Sequence, residues 1–561
     1  MLNFYDFEVF SHNWMVVIVN PVEKTETVIV DDPNALEEYY NKHKNEIWVG
    51  YNSKHYDQWI LKGILCGFNP KKINDFIIVK GKDGWQFSSM FRNIPLYNYD
   101  VMNATQSLKL LEGYMGHNIK ETSVPFDVER KLNAAEIAET IEYCKHDVYE
   151  TLEIFLRRKD DFNTAMGLIK TFNLPLSFIS KSKPQMSAAI LECNRVERDD
   201  EWDIQLVDTL RIKKYKEVVD WFSNVKDYSE SLKMDIAGVP HTFAFGGLHA
   251  GREKYHAKGF IIHVDVNSFY PAIMIEYDLL SRNVKNKDKY REIRDLRIKY
   301  KKEKNPLQAP YKIVLNSTYG ICKDKYSPAY DPRQANNICI NGQLLLLDLI
   351  EHLEVIKSFE LINSNTDGLI IKIDESDFDL LDDICYEWES RTKMSLGFDY
   401  IKEIWQKDVN NYIFVDIDGK LERKGAYVKE LNDLDNDLPI INKALVDKMT
   451  RNIEVETTIY GCNDIKEFQM IARATSAYSH VIYNGEKMNE KCFRIFASTR
   501  DSDGGIYKVS KRTGKPEKMT NSPEKCFYIN DDLKGVEIPP YLDRNWYIQL
   551  ANKRLKDFGV I

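Results

Sequence analysis

The stretch His263-Val264-Asp265-Val266-Asn267-Ser268-Phe269-Tyr270-Pro271 decides how the chain folds. Residues 260–266 have the apolar, β-branched character of a strand, and Pro271 suits the first turn of a helix. Asp265 is thereby delivered near the end of a strand. The turn after it leaves backbone N–H groups free for phosphate oxygens, as helix starts do. Alone, the segment fits an ordinary strand–turn–helix with a solvated Asp265 equally well.

Two segments downstream break that tie. Residues 285–304 are strongly basic with helical spacing; Pro306 and Pro310 interrupt them, and a second helix is expected from near Pro310, making a helical hairpin. On the second arm, Lys312-Ile313-Val314-Leu315-Asn316-Ser317-Thr318-Tyr319-Gly320 sets Lys312, Asn316 and Tyr319 four and three apart, on one stripe. On the first arm, Arg297 and Lys301 are four apart, whereas Lys285, Lys287, Lys289 and Arg291 read as a solvated face. An apolar helix over 343–353 then leads to a strand pair, 360–364 and 368–373. The tip between them, Asn363-Ser364-Asn365-Thr366-Asp367-Gly368, can hold Asp367 opposite Asp265. Two carboxylates so placed suit two Mg²⁺ ions.

A second acidic set opens the chain. Strands are expected over 2–10, 14–19 and 46–49, and helices over 56–65 and 134–158, so the first third reads as α/β. In Asp6-Phe7-Glu8, strand alternation puts both carboxylates on one face and Phe7 on the other. Asn52-Ser53-Lys54-His55-Tyr56-Asp57 enters a helix, and Tyr143 and Asp147 share a helix face. Asp6, Glu8, Asp57 and Asp147 are expected to converge on two metal ions, with Tyr143 orienting a water, as phosphodiester hydrolysis requires. His55 and His146 read as structural or surface histidines, and Asp100 as a strand-end or turn residue.

The first three segments resemble motifs A, B and C of family B DNA polymerases, and the N-terminal set resembles DEDDy proofreading exonucleases. Asp265, Ser268, Tyr270 and Pro271 match motif A, with Phe269 a conservative change. Lys312, Asn316, Ser317, Tyr319 and Gly320 match motif B. Motif C departs: Asn365 replaces its first Asp, and Asn363 and Gly368 replace flanking residues, while Asp367 keeps the metal-ligating place. The resemblance implies two Mg²⁺ at each site, with Mn²⁺ a substitute. One pair is held by Asp265, Val266 and Asp367, the other by Asp6, Glu8, Asp57 and Asp147. It implies nucleotide contacts from Val266, Ser268, Phe269, Tyr270, Arg297, Lys301, Lys312, Asn316 and Tyr319. Asn52 and Tyr56 would touch the primer 3′ end. Gly246-Gly247 resembles the linker motif between the two activities, although Ala244 stands where an aromatic is usual. Lys407 to Tyr412 and Lys424-Gly425 resemble the region that grips the primer terminus.

The expected architecture is α/β multidomain. A ribonuclease-H-like exonuclease domain (1–190) and a helical linker (191–240) precede a right-hand polymerase. Its α+β palm lies in two parts (241–282 and 319–430), with helical-hairpin fingers (283–318) and a mixed thumb (431–561). In that thumb, Lys508, Lys511, Arg512, Lys515 and Lys518 form a basic loop that reads equally as a duplex contact and as an exposed hairpin.

The bulk properties fit. At roughly 100–200 residues per domain, 561 residues make about three to five compact units. The net charge of −9 does not announce nucleic-acid binding, but a basic cleft can sit in an acidic body. Nine scattered cysteines without a CxxC pair argue against structural zinc and for reduced thiols. No signal peptide or membrane span is read, so the expected place is the cytoplasm, that of a bacterial host for a phage-encoded enzyme. The expected activity is DNA synthesis with 3′→5′ proofreading in phage genome replication. The expected partners are primer–template DNA, dNTPs and a helicase, clamp or single-stranded-DNA-binding protein, with the chain a monomer. Because the nuclease motif begins at Asp6, the N-terminal domain of larger members is expected to be missing. A nuclease with a degenerate polymerase half is the alternative that Asn365 raises. Protein-primed synthesis is disfavoured by the short stretch from Tyr270 to Lys312, and RNA synthesis by Tyr270. A non-catalytic scaffold would have no use for six such carboxylates.

Overall fold

The computed structural model describes residues 1–102 and 106–561. The chain forms two compact units. One comprises Met1–Ser182, Leu431–Ile440 and Cys462–Tyr547, and the other Lys183–Glu430, Ile441–Gly461 and Ile548–Ile561.

The first unit is built on five strands, β1 (Leu2–Val9), β2 (Trp14–Asn20), β3 (Thr25–Val30), β4 (Ile47–Gly50) and β5 (Tyr97–Asp100), in the order β3-β2-β1-β4-β5. β1, β2 and β3 are antiparallel neighbours, whereas β4 runs parallel to β1 and β5 parallel to β4. Composition sets the order: β2 (WMVVIVN) is buried throughout and lies inside, while the Thr- and Glu-bearing β3 takes an edge. Helices α1 (Pro33–His43) and α2 (Asp57–Leu65) cover one face, where Tyr5, Phe7, Trp48, Ile60 and Leu61 share a core. Helix α3 (Leu108–Met115) is short. Helix α4 (Ala134–Arg157) begins at a capping box of Asn133 and Glu136.

The segment expected as a mixed thumb is divided between the units and is mainly strand within the first. Met470–Arg473, Cys492–Ala497 and Cys526–Tyr528 make a three-stranded sheet. Tyr478–Tyr483, Glu486–Met488, Ile506–Ser510 and Pro516–Lys518 make a four-stranded one, whose last turn carries Lys511, Arg512 and Lys515. Lys508 lies 4.3 Å from the Tyr478 ring centre, and Lys518 pairs with Glu524.

The helical linker needs correction. Within 191–240 the only helix among the described residues is Lys216–Asn224, and an antiparallel hairpin follows, β6 (Leu232–Ile236) and β7 (Val239–Phe243). Its two-residue turn places Ala237 at φ +50° and Gly238 at φ +74°, the left-handed pair that a tight hairpin needs.

The second unit holds an antiparallel seven-stranded sheet. Its further strands are β8 (Ala250–Gly251), β9 (Tyr255–Val266), β10 (Glu360–Ser364), β11 (Gly368–Lys372), β12 (Leu396–Asp408), β13 (Asn411–Asp416) and β14 (Leu421–Lys424). They are ordered β14-β13-β12-β9-β11-β10-β8, so the twelve-residue β9 is central. Helix α5 (Phe269–Glu276) follows β9 directly, with Pro271 in its first turn. Helices α6 (Lys287–Lys302) and α7 (Gln308–Lys323) form the expected hairpin. Helix α8 spans Pro332–Leu353, beginning well before the expected 343. Its first half looks polar, yet Asn337 and Asn341 are buried, where their side-chain oxygens accept the N–H groups of Gln205 and Val207 at 2.8 and 2.9 Å. Among the described residues no helix is long and apolar enough to cross a membrane.

Candidate active sites

In the first unit, Asp6 and Glu8 occupy the β1 face opposite Phe7, and α4 covers it: Cys144 Sγ donates to the Asp6 main-chain oxygen at 3.4 Å. Ligand atoms of Asp6, Glu8 and Cys144 lie within 4.8 Å of one another. Asp57, the first residue of α2, accepts the Phe7 N–H at 3.1 Å, at a point where β1 has run past its pairing with β4. Asp147 on α4 accepts from Lys109 Nζ at 2.8 Å, and Lys109 lies 3.1 Å from Glu112 as well. Burial and then the neighbouring carboxylates push Asp6 and Glu8 well above the ordinary carboxylate range. Asp57 is pushed up to about 7, chiefly by burial. Burial pulls the Lys109 ammonium down, but Asp147 and Glu112 outweigh it and hold it above its usual range. Four carboxylates crowded beside one lysine form a donor set for divalent cations.

The other expected residues of this unit have definite partners. The Tyr143 hydroxyl donates to Glu121 at 3.0 Å, with Lys109 Nζ 4.7 Å from its ring centre. Asp100 ends β5 and accepts the N–H groups of Asn52, Lys54 and Met102, each at 2.9 Å, which secures Asn52 at φ +58°. Tyr56 donates to Asn74 at 2.8 Å. His55 is exposed, and His146 Nε2 lies 3.2 Å from the Asn118 oxygen. Lys109, Glu112 and Glu121 were missed by sequence reasoning: they sit in a short helix and a loop, with no spacing that marks them.

In the second unit, Asp265 on β9 faces Gly368, the first residue of β11, and the Val266 N–H donates to the Asp367 oxygen at 2.7 Å. A cavity of about 520 Å³ is lined by Asp265, Val266, Ser268, Phe269, Tyr270, Arg297, Lys301, Lys312, Asn316, Tyr319 and Asp367. Asn267, Leu315 and Thr366 line it too and were not anticipated. Ser268 caps α5 in a left-handed conformation, φ +52°, and accepts from Arg297 Nη1 at 2.6 Å. The buried Arg297 Nε has no hydrogen-bond partner among the described residues. By contrast Lys287 and Lys289 pair with Asp278 and Glu192 at 2.7 and 3.1 Å, away from the cavity. The rings of Tyr270 and Tyr319 meet edge to face at 4.7 Å. Asp265 is pushed up to about 6 by burial and then by Asp367.

The departures at the hairpin tip have local reasons. Asn365 Oδ1 accepts the Asp367 N–H at 3.1 Å, and its own N–H reaches the Gly368 oxygen at 2.9 Å, so this side chain closes the turn. A Cβ on Gly368 would stand 2.6 Å from the Val264 oxygen. Gly368→Ala is therefore expected to cost about 1–3 kcal/mol and to displace Asp367. A lower melting temperature with weaker cation binding at this site would show it. Lys312→Ala and Lys301→Ala are each expected to weaken binding of inorganic triphosphate in this cavity about tenfold, as loss of a charge-assisted contact does, measured by calorimetric titration.

The remaining expected contacts are spread out. A Cβ on Gly247 would stand 2.2 Å from Thr366 Oγ1, and the Gly246 oxygen accepts from Gln343 at 3.0 Å, so this pair abuts the hairpin tip. Tyr412 and Lys424 line a second cavity of about 560 Å³ that also reaches His263 on β9. Lys407 pairs with Asp408, and Gly425 holds φ +92° where a Cβ would meet the Asn410 oxygen.

No protein-family model matches the chain. No curated protein matches it either. Among solved structures the chain is similar to the family B DNA polymerase of the hyperthermophilic archaeon Pyrobaculum calidifontis. The identity is 14%, over 100% of this chain and 78% of that one, with a TM-score of 0.46.

Proposed function

We propose that the chain is a template-directed DNA polymerase of family B with its own 3′→5′ proofreading exonuclease of ribonuclease-H-like fold, serving phage genome replication. The observation that carries this is the single cavity in which Asp265 and Asp367 face Arg297, Lys301 and Lys312. A separate four-carboxylate cluster occupies the other unit.

The donor chemistry fits divalent cations at both places, since carboxylates that crowd and repel are relieved by one. Asp265, Asp367 and the Val266 main chain would hold them at one site, and Asp6, Glu8, Asp57 and Asp147 at the other. Bound Mg²⁺ supplies Lewis-acid polarisation of phosphate oxygens and eases deprotonation of a hydroxyl. The chain's own groups do the rest. Arg297, Lys301 and Lys312 neutralise the triphosphate, aided by N–H groups at the start of α5. Tyr270 stands under the sugar and excludes a 2′-hydroxyl, and Asn316 and Tyr319 face the nascent base pair. At the nuclease site Lys109 holds Asp147. The spacing from Tyr270 to Lys312 supports an ordinary nucleic-acid primer, with primer–template DNA and dNTPs as ligands. A helicase, clamp or single-stranded-DNA-binding protein would assist a monomer in the host cytoplasm.

A labelled primer–template with Mg²⁺, incubated with and without the four dNTPs, tests this. Extension with dNTPs and 3′ shortening without them are expected. Shortening in both reactions, with Mn²⁺ tried as well, would favour a nuclease whose polymerase half is inactive.

A further inference from the structure

We infer that Arg494 is a positioning residue of the nuclease site, acting through helix α3 and Lys109; this rests on the nuclease reading of the first unit. Arg494 is fully buried on the strand Cys492–Ala497. Its hydrogen bonds among the described residues all go to main-chain oxygens, with no carboxylate among them. Those of Gly113 and His117, at 3.2 and 2.7 Å, lie at the C-terminal end of α3, and that of Asp531, at 2.8 Å, lies in the C-terminal segment. Burying a guanidinium with no carboxylate hydrogen-bonded to it is costly, with Asp531, Asp532 and Glu112 offsetting only part of that cost from further off, and its main-chain acceptors tie α3 to the segment 529–531. Carbonyls at a helix C-terminus are a favourable seat for a cation.

The same C-terminal segment grips α3 along its length. Arg473 donates to Ser107 Oγ at 2.9 Å at the N-terminal end, and Gln469 to the Tyr114 oxygen at 3.0 Å. Eight residues are too few to hold a helix by themselves. What α3 presents at its other end is Lys109, 2.8 Å from the Asp147 carboxylate. The path therefore runs from Arg494 to α3 to Lys109 to Asp147. A segment more than three hundred residues away in sequence thus sets the nuclease geometry.

The test uses the full chain with Mg²⁺, following shortening of a labelled single strand and, in the same preparation, extension of a primer–template. Arg494→Lys keeps the charge and loses the fork. It is expected to lower nuclease kcat about tenfold, as loss of an outer partner of a ligand does. KM and extension should stay within about twofold. Combined with Lys109→Met it should lower the rate no further than Lys109→Met alone, because both act on one path. Arg473→Ala, at a half-buried position, should move kcat the same way by a smaller factor. A full nuclease rate in folded Arg494→Lys, or losses that multiply in the double variant, overturns the inference. If Arg494→Lys does not fold, an unchanged rate in Arg473→Ala overturns it instead. Shortening that persists when Asp6 and Glu8 are both alanine would mean that the nuclease reading has failed, not Arg494.

Discussion

Replacing Asp265 with asparagine is expected to lower dNTP incorporation a thousandfold or more, about 4 kcal/mol of barrier, while 3′ shortening of the same primer stays within about twofold. The substitution is nearly isosteric, so β9 and its pairing with β11 should persist. What is lost is the negative charge that Asp265 shares with Asp367. Asn365 cannot replace it, because its carbonyl is committed to the Asp367 N–H. On the proposed reading 3′ shortening is spared, because the carboxylates that would carry it belong to the other unit. A pH signature accompanies the effect. Asp265 is pushed up to about 6, so below that pH it holds a proton that a cation must displace. Wild-type cation binding at this site should therefore weaken as the pH falls through about 6, with proton uptake on release measurable by calorimetry in two buffers. Equal loss of both activities in Asp265→Asn would contradict a two-site enzyme.

Much of this was legible in the sequence because the informative residues are local. Strand alternation in Asp6-Phe7-Glu8 and the stripe Lys312, Asn316, Tyr319 are fixed by backbone periods of two and about 3.6, and the structure follows those periods. In the structure the basic run divides: Lys287 and Lys289, expected as a solvated face, sit on acidic partners, and Arg297 and Lys301 line the cavity.

The rest depended on contacts that leave no local period. Asn337 and Asn341 lie before the apolar helix expected from 343, and they are buried because the segment at Gln205 and Val207 satisfies their side-chain oxygens. Lys109 has no motif, and its meaning comes from Asp147, thirty-eight residues on. The return of Cys462–Tyr547 to the first unit is written only in pairings such as Arg494 with Gly113. The helical reading of 191–240 passed over a tight turn at Ala237-Gly238 whose left-handed pair the composition barely signals, since Ala is a poor marker for positive φ.

Asp57→Asn is expected to lower nuclease activity at least a hundredfold and yet to make the metal-free protein more stable. Burial pushes Asp57 up to about 7 in the fold, whereas an unfolded chain would hold it near about 3.9. Between those values the folded state binds the extra proton, so this residue's contribution to stability falls as pH rises across the window. The penalty is absent below about 4 and complete above about 7. Asparagine removes it and still accepts the Phe7 N–H through its side-chain oxygen. Above pH 7 the variant should gain about 1–2 kcal/mol, and its advantage should shrink as pH falls toward 5. Mg²⁺ or Mn²⁺ should raise the melting temperature of the wild type more than that of the variant, because a cation offsets the same buried charge that the substitution deletes. Thermal melts at pH 5 and 8, with and without the cation, separate these effects. A variant less stable than wild type at both values would show that Asp57 is held by its hydrogen bonds, and that its charge is not what the site spends stability to keep.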